Sequence, residues 1–170
     1  HRRNNRVLEK FYDSKFLDTR DNTTKSGSQL SCGRTNRKEL EERIQHIRER
    51  IPDITLRTTL ICGFPGETAE MHEELMQFIN DMEFDRLGAF AYSPEEGTVA
   101  AEMPNQVEEE LKLDWQADVM ELQEEVIFDK NETLIGQNFY AFIEGKVADE
   151  NAYIGRTYRD APNVDGYIFI

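Results

Sequence analysis

The chain has 170 residues, a net charge of −14 and 38% hydrophobic residues. This length suits one domain, or part of a domain with a small neighbour. No apolar run approaches the roughly 20 residues that span a bilayer, and the polar N-terminus has no apolar signal segment. We therefore expect a cytoplasmic protein with no membrane partner. The two cysteines, Cys32 and Cys62, are too few for a disulfide framework, a metal site or a four-thiolate cluster.

Charge is distributed unevenly along the chain. Residues 1–50 hold 13 Lys/Arg against 8 Asp/Glu, whereas residues 67–132 hold 3 against 20. This acidic block would repel a nucleic-acid backbone and attract a basic partner. The alternative is that acidic helix faces simply keep the protein soluble.

The first readable element is a helix after residue 36. Asn36 and Glu39 have the spacing of a capping box, and Pro52 is expected to end the helix. Its apolar face is predicted to consist of Leu40, Ile44, Ile47 and Ile51.

A strand over residues 54–62 follows, and its side chains alternate. Its apolar side, with Leu60 and Cys62, is expected to face helices, which leaves Arg57, Thr59 and Ile61 on the inner side of a barrel. A charged group there needs a partner. That partner is either an anionic or zwitterionic ligand or a neighbouring carboxylate.

The sequence Gly63-Phe64-Pro65-Gly66 predicts a tight turn, and Thr68 is expected to cap the next helix. Glu67 is expected near that helix N-terminus, where a carboxylate is favourable. His46 and His72 are expected on charged helix faces without a role. The predicted buried stripe of this helix is Met71, Leu75, Phe78, Ile79 and Met82.

A second strand, 86–92, is predicted next, with Gly88, Phe90 and Tyr92 on one face. A long helix over about 106–131 follows, with an apolar stripe of Leu111, Trp115, Val119, Leu122 and Val126. Strands are predicted at 135–145, 152–159 and 167–170. The order predicts parallel β/α units followed by a small all-β module, which we expect to continue beyond Ile170.

Three motifs in this order resemble radical SAM methylthiotransferases. Residues 56–68, ending in GFPGET, are similar to the fifth barrel strand and turn of that family, and FDRLGAFAYS with EEGT resembles the sixth. The stretch YIGRTYRDAP with Asp165-Gly166 resembles the start of a TRAM domain. The resemblance covers about residues 33–170 and is nearest to the RimO-type branch, which modifies a small-subunit ribosomal protein. The sister branch modifies tRNA adenosine.

The resemblance implies a TIM-like partial barrel and a full-length enzyme, expected to be monomeric, that binds S-adenosylmethionine and two 4Fe-4S clusters. One cluster would cleave the cofactor to a 5′-deoxyadenosyl radical. That radical would take a hydrogen from the β-carbon of an aspartate in a basic ribosomal protein, where a methylthio group is installed. The TRAM module would help to hold this protein substrate.

The chain departs from the family in three ways. The C-x-x-x-C-x-x-C motif and the N-terminal cluster cysteines are absent, residues 9–32 match nothing and are either an insertion or a misread segment, and the β module is short. We therefore expect a C-terminal fragment that is inactive alone. Its predicted parts are an unmatched or disordered stretch (1–34), the end of the barrel with a linker helix (35–132) and a truncated TRAM domain (133–170).

The resemblance places the fifth strand beside the adenine and ribose of the cofactor. The predicted cofactor-binding residues are Arg57, Thr59, Ile61, Gly63, Phe64, Phe90 and Tyr92, with no metal ligand and no assigned catalytic residue. Phe90 and Tyr92 would cover the adenine, or else they fill the barrel.

Two other functions remain open. In one, the chain is a non-catalytic module whose acidic helices and β module hold a basic protein. It would belong to the tRNA branch if its β module gripped phosphates, but residues 133–170 carry 3 bases and 5 acids, so we do not expect nucleic acid as a partner.

Overall fold

The computed structural model describes residues 36–162 and 164–170, and the chain divides into two compact units between Lys130 and Asn131. The predicted stretch 1–34, with Cys32, lies outside the described residues. In the first unit, the helices are α1 (Arg37–Arg50), α2 (Ala69–Met82) and α3 (Glu109–Glu132), with a 3-10 turn at Ala100–Glu102. Its strands are β1 (Arg57–Cys62) and β2 (Arg86–Ala91). None of the helices described has the length and apolarity needed to cross a bilayer.

Local signals set the limits of α1. The Asn36 side chain accepts the Glu39 N–H at 3.0 Å, so the predicted N-cap is confirmed. The Glu39 carboxylate accepts from the Asn36 side-chain amide, whereas in a capping box it would accept from the backbone N–H. The helix ends at Arg50, two residues before Pro52. Ile44 is buried, and Leu40 and Ile47 pack against the same core. The predicted apolar face of α1 is therefore confirmed for these three residues, whereas the fourth, Ile51, is the C-cap that follows the helix.

The two strands of the first unit pair in parallel, with Thr59 opposite Gly88 and Ile61 opposite Phe90. One face of this pair is buried under the helices through Leu60, Cys62, Leu87 and Ala89. Parallel strands joined by α2 form a β/α unit, so the expected α/β class is confirmed. Strand β1 begins at Arg57 rather than residue 54, because the Leu56 N–H donates to the Asp85 carboxylate at 2.8 Å instead of to a strand.

The long helix α3 buries three of the five residues in its predicted apolar stripe. Its buried residues are Lys112, Trp115, Val119, Gln123 and Val126, whereas Leu111 is 41% exposed. Gln123 is tolerated in the core because its side-chain amide donates to the Phe84 carbonyl at 2.9 Å. Trp115, Val119 and Val126 are buried as predicted, and Leu122 is partly buried against the same core. The prediction was wrong for Leu111, since the neighbouring Lys112 is buried in its place.

The second unit is a three-stranded antiparallel sheet in the order β3 (Ala141–Lys146), β4 (Tyr153–Thr157) and β5 (Ile168–Phe169). A bulge interrupts β3 between Ile143 and Gly145. Strand β3 begins six residues later than predicted, because a turn closes on Leu134, whose carbonyl accepts the Gln137 N–H, with Gly136 at φ 83°. The small β module predicted after the helical part is confirmed.

Candidate functional site

The face of β1 and β2 away from the helices is open. Thr59 is exposed, Arg57 and Ile61 are half-buried, and Phe90 is 61% exposed. A Cβ added to Gly88 would meet no atom of the described residues within 4 Å, so this face has room beside Thr59. Four of the predicted site residues, Arg57, Thr59, Ile61 and Phe90, therefore lie on one accessible surface.

The turn after β1 is held from its own sequence and from a distant loop. One carboxylate oxygen of Glu67 accepts the Gly63 N–H at 2.7 Å and the Phe64 N–H at 3.1 Å. The Gly66 N–H donates to the Asn105 carbonyl at 2.9 Å. Glu67 thus fixes the turn, while Thr68 caps α2 as predicted by accepting the Met71 N–H. The turn is a fixed backbone element at the carboxyl end of β1.

Tyr92 and Phe90 differ sharply in exposure, although both were predicted to cover a ligand. Tyr92 lies just beyond β2 and is 7% exposed. Its ring centre lies 5.0 Å from that of Phe64, and its N–H donates to the Cys62 carbonyl at 2.8 Å. In this structure Tyr92 supports the turn from within, whereas Phe90 presents an open aromatic surface.

S-adenosylmethionine is the cofactor that the resemblance implies for this face. The open face offers an aromatic ring for stacking, a hydroxyl at Thr59, the Arg57 guanidinium and the free space at Gly88. The N–H groups of Gly63 and Phe64 already donate to Glu67, so these two residues would line the ligand by shape rather than by hydrogen bonds. The planar adenine ring and the carboxylate of S-adenosylmethionine fit these groups.

The residues do not fit an iron-sulfur cluster. Within residues 36–162 and 164–170, no group of His, Cys, Asp and Glu is arranged to hold a metal ion. Cys62 is fully buried, and burial, followed by the charges of Glu67 and Asp118, raises its pKa to about 12. Cluster ligation requires a thiolate. Cys62 therefore remains a protonated thiol in the core.

His72 is a polar core residue that sequence reasoning misplaced. It is 6% exposed, stacks on Trp115 at 5.0 Å between ring centres, and has Nε2 3.3 Å from an Asp118 carboxylate oxygen. These three residues line an open groove of about 540 Å³ between α2 and α3. The placement of His72 on a charged face was wrong. Its spacing from Leu75, Ile79 and Met82 is that of the buried stripe and was the available signal.

Burial of His72 predicts a dependence of stability on pH. Desolvation lowers the pKa of His72 below its usual 6.5, and the Asp118 carboxylate only partly opposes this effect. His72 therefore binds a proton more readily in the unfolded chain than in the folded chain. Because of this, stability that is fully present above pH 6.5 is lost as the pH falls below that value. In urea unfolding followed by circular dichroism, we expect a larger loss between pH 7.5 and 5.5 for the unsubstituted chain than for His72→Gln. Equal losses in the two proteins would contradict this assignment.

Comparison with known proteins shows which proteins this chain is similar to in sequence. The TRAM domain family matches residues 135–170. The ribosomal protein uS12 methylthiotransferase RimO of Lachnoclostridium phytofermentans is 50% identical over 137 residues, which cover 81% of this chain. The proteins of the same name from Carboxydothermus hydrogenoformans and Clostridioides difficile are 44% and 40% identical, over 78% and 81% of the chain. The chain belongs with the RimO-type methylthiotransferases.

The match to these RimO-type relatives is partial in one respect. The aligned residues cover 31%, 30% and 31% of the three relatives, so the chain spans about a third of the proteins that it matches. The expected mixed α/β architecture with a TRAM region at its C-terminal side agrees with this family.

Proposed function

We propose that this chain supplies the cofactor-facing strands and the TRAM region of an enzyme that methylthiolates ribosomal protein uS12. The observation that carries the proposal is the open face of β1 and β2, with exposed Phe90 and Thr59 beside the space at Gly88. The shared sequence with proteins named as uS12 methylthiotransferases supports this reading.

The chain's own residues are proposed to bind S-adenosylmethionine and to cover its adenine ring. Phe90 stacks on the adenine, Thr59 and Arg57 bind polar groups of S-adenosylmethionine, and Ile61 closes the apolar side. The turn at Gly63 and Phe64 shapes the end of the site, with Tyr92 beneath it. When bound, the cofactor and two 4Fe-4S clusters held elsewhere in the full-length protein supply the radical chemistry. The β-carbon of an aspartate is the proposed position of modification.

The chain alone is proposed to be inactive, with no metal ligand of its own. Its only two cysteines are Cys32 and Cys62, and Cys62 is buried and protonated. The proposed protein partner is the basic uS12, which would bind in the cytoplasm to an acidic surface on residues 67–132. This segment contains 20 acidic and 3 basic residues. The proposed domains are the unmatched stretch 1–34, the end of the barrel with its linker helix (35–132) and the truncated TRAM domain (133–170).

A hybrid enzyme tests the function directly. The aligned segment of the Lachnoclostridium phytofermentans relative is replaced by the matching 137 residues of this chain, and the clusters are reconstituted. After incubation with S-adenosylmethionine, reductant, a sulfur source and uS12, mass spectrometry should find a methylthio group on one aspartate of uS12. The control is the same hybrid with alanine in place of the cysteines of its C-x-x-x-C-x-x-C motif.

The other outcomes separate the alternatives. A methylthio group on tRNA and none on uS12 would favour the tRNA branch. A hybrid that binds uS12 but neither binds the cofactor nor forms product would favour a non-catalytic module for basic proteins. Product formed by the 170-residue chain alone would contradict its proposed inactivity.

A further inference from the structure

Lys112 is a buried lysine beside the turn after β1, and nothing in the proposed function uses it. The residue is 4% exposed, and its ammonium lies 2.9 Å from a carboxylate oxygen of Glu109, whose side chain is 68% exposed. Lysines on helix surfaces ordinarily extend their ammonium groups into water. The first turn of α3 instead directs this side chain inward.

The aliphatic part of Lys112 packs directly on Gly63. A Cβ built on Gly63 would lie 2.2 Å from Lys112 Cγ and 2.8 Å from Lys112 Cβ, so only a glycine backbone fits there. These atoms lie close to the α3 backbone and have little freedom to move aside. The position of Gly63 is therefore set by the stem of Lys112.

The charged end of Lys112 contacts the other side of the same turn. Lys112 Nζ lies 5.5 Å from the ring centre of Tyr92, within the range of a cation–π contact. The Tyr92 ring in turn packs against Phe64 at 5.0 Å between ring centres. One side chain thus contacts Gly63 directly and reaches Phe64 through Tyr92.

We propose that Lys112 is a positioning residue, which fixes the turn at Gly63 and Phe64 so that the cofactor-facing strand end keeps its shape. This inference rests on the proposed function, because it takes that turn as one wall of the S-adenosylmethionine site. Lys112 acts through Gly63 and Tyr92 and does not contact the cofactor. Its removal lets the turn relax, which weakens cofactor binding more than it slows the reaction of bound cofactor.

Three substitutions separate the two contacts of Lys112. Lys112→Ala removes the stem and the charge, Lys112→Met keeps most of the stem and loses the charge, and Lys112→Arg keeps both in altered form. In the hybrid enzyme, we expect Lys112→Ala to raise the KM for S-adenosylmethionine roughly tenfold with little change in kcat. Lys112→Met should give a smaller increase, and Lys112→Arg should restore much of the affinity.

The control is Lys130→Met, which removes the ammonium of another lysine on α3. Lys130 pairs with Asp85, so its loss lowers stability without touching the turn. Amide hydrogen exchange in the 170-residue chain gives a readout that needs no cofactor. Lys112→Ala should speed exchange at Gly63 and Phe64 more than Lys130→Met does, since both amides donate to Glu67.

The outcomes distinguish this inference from the function on which it rests. If the unsubstituted hybrid binds cofactor and forms product, but Lys112→Ala changes KM and exchange no more than Lys130→Met, Lys112 is merely structural and the inference is wrong. If the unsubstituted hybrid binds no cofactor, the proposed function falls, and the inference falls with it. A Lys112→Ala protein that does not fold leaves Lys112→Met to decide by the same two readouts.

Discussion

Gly63→Ala is expected to lower the free energy of unfolding of the first unit by about 4 kcal/mol. Gly63 has φ 76°, where an alanine is strained by roughly 1–3 kcal/mol. The added methyl would also overlap Lys112 Cγ at 2.2 Å and Lys112 Cβ at 2.8 Å, and such overpacking costs about 1–3 kcal/mol. The two effects act at one position, so we expect this to be among the most damaging single-methyl additions in the chain.

Gly66→Ala is the matched control for this prediction. Gly66 has φ 89°, but a Cβ there would meet no atom within 4 Å, so only the backbone strain applies. Urea unfolding followed by Trp115 fluorescence measures the free energy of unfolding of both variants, because Trp115 is the only tryptophan in the sequence and is buried in the first unit. Equal losses for Gly63→Ala and Gly66→Ala would show that the contact with Lys112 does not constrain the turn.

Asp85→Ala is expected to cost about 3 kcal/mol, the second largest effect. One carboxylate oxygen of Asp85 accepts the Leu56 N–H at 2.8 Å, and the other lies 2.9 Å from Lys130 Nζ. Asp85 is 4% exposed. Its removal leaves the Leu56 N–H without this acceptor and the Lys130 ammonium without its carboxylate partner, at the point where β1 begins and α3 ends. The same Trp115 unfolding measurement applies.

Asp81→Ala provides the comparison for Asp85. Asp81 also accepts a side-chain hydrogen bond, from Gln77, but its side chain is 43% exposed, so we expect a loss below about 1 kcal/mol. A double-mutant cycle of Asp85→Asn with Lys130→Met then isolates the coupling between the two charges. Additive effects in that cycle would show that Asp85 acts through Leu56 alone.

Where one periodic signal dominates, sequence was sufficient to predict the fold. The alternation along β1 correctly separated Leu60 and Cys62 from Thr59 and Ile61, because a strand has a period of two and one face must be buried. The same reasoning placed Tyr92 on one face with Phe90 and did not separate the buried Tyr92 from the exposed Phe90, because Tyr92 lies beyond the end of β2, where strand alternation no longer applies.

Buried polar residues were the main source of error. His72, Lys112 and Gln123 lie on buried helix faces, but a pattern built on apolar residues assigns them to the surface. Lys112 pairs with Glu109 three residues before it, but Gln123 and His72 have partners in distant parts of the first unit, the Phe84 carbonyl and the Asp118 carboxylate. Partners this far apart in sequence leave no local signal, and the same applies to the pair of Asp85 and Lys130.

The central claim is that the open face of β1 and β2 binds S-adenosylmethionine. Substituting Gly88 in the hybrid enzyme and measuring its affinity for this cofactor tests that claim. A side chain at Gly88 meets no protein atom within 4 Å and needs no unusual φ, so Gly88→Val should fold normally, which Trp115 unfolding of the 170-residue chain checks. If the cofactor occupies that space, Gly88→Ala should weaken its binding slightly and Gly88→Val by about tenfold or more. An affinity for S-adenosylmethionine that is unchanged in Gly88→Val would contradict the assignment of this face.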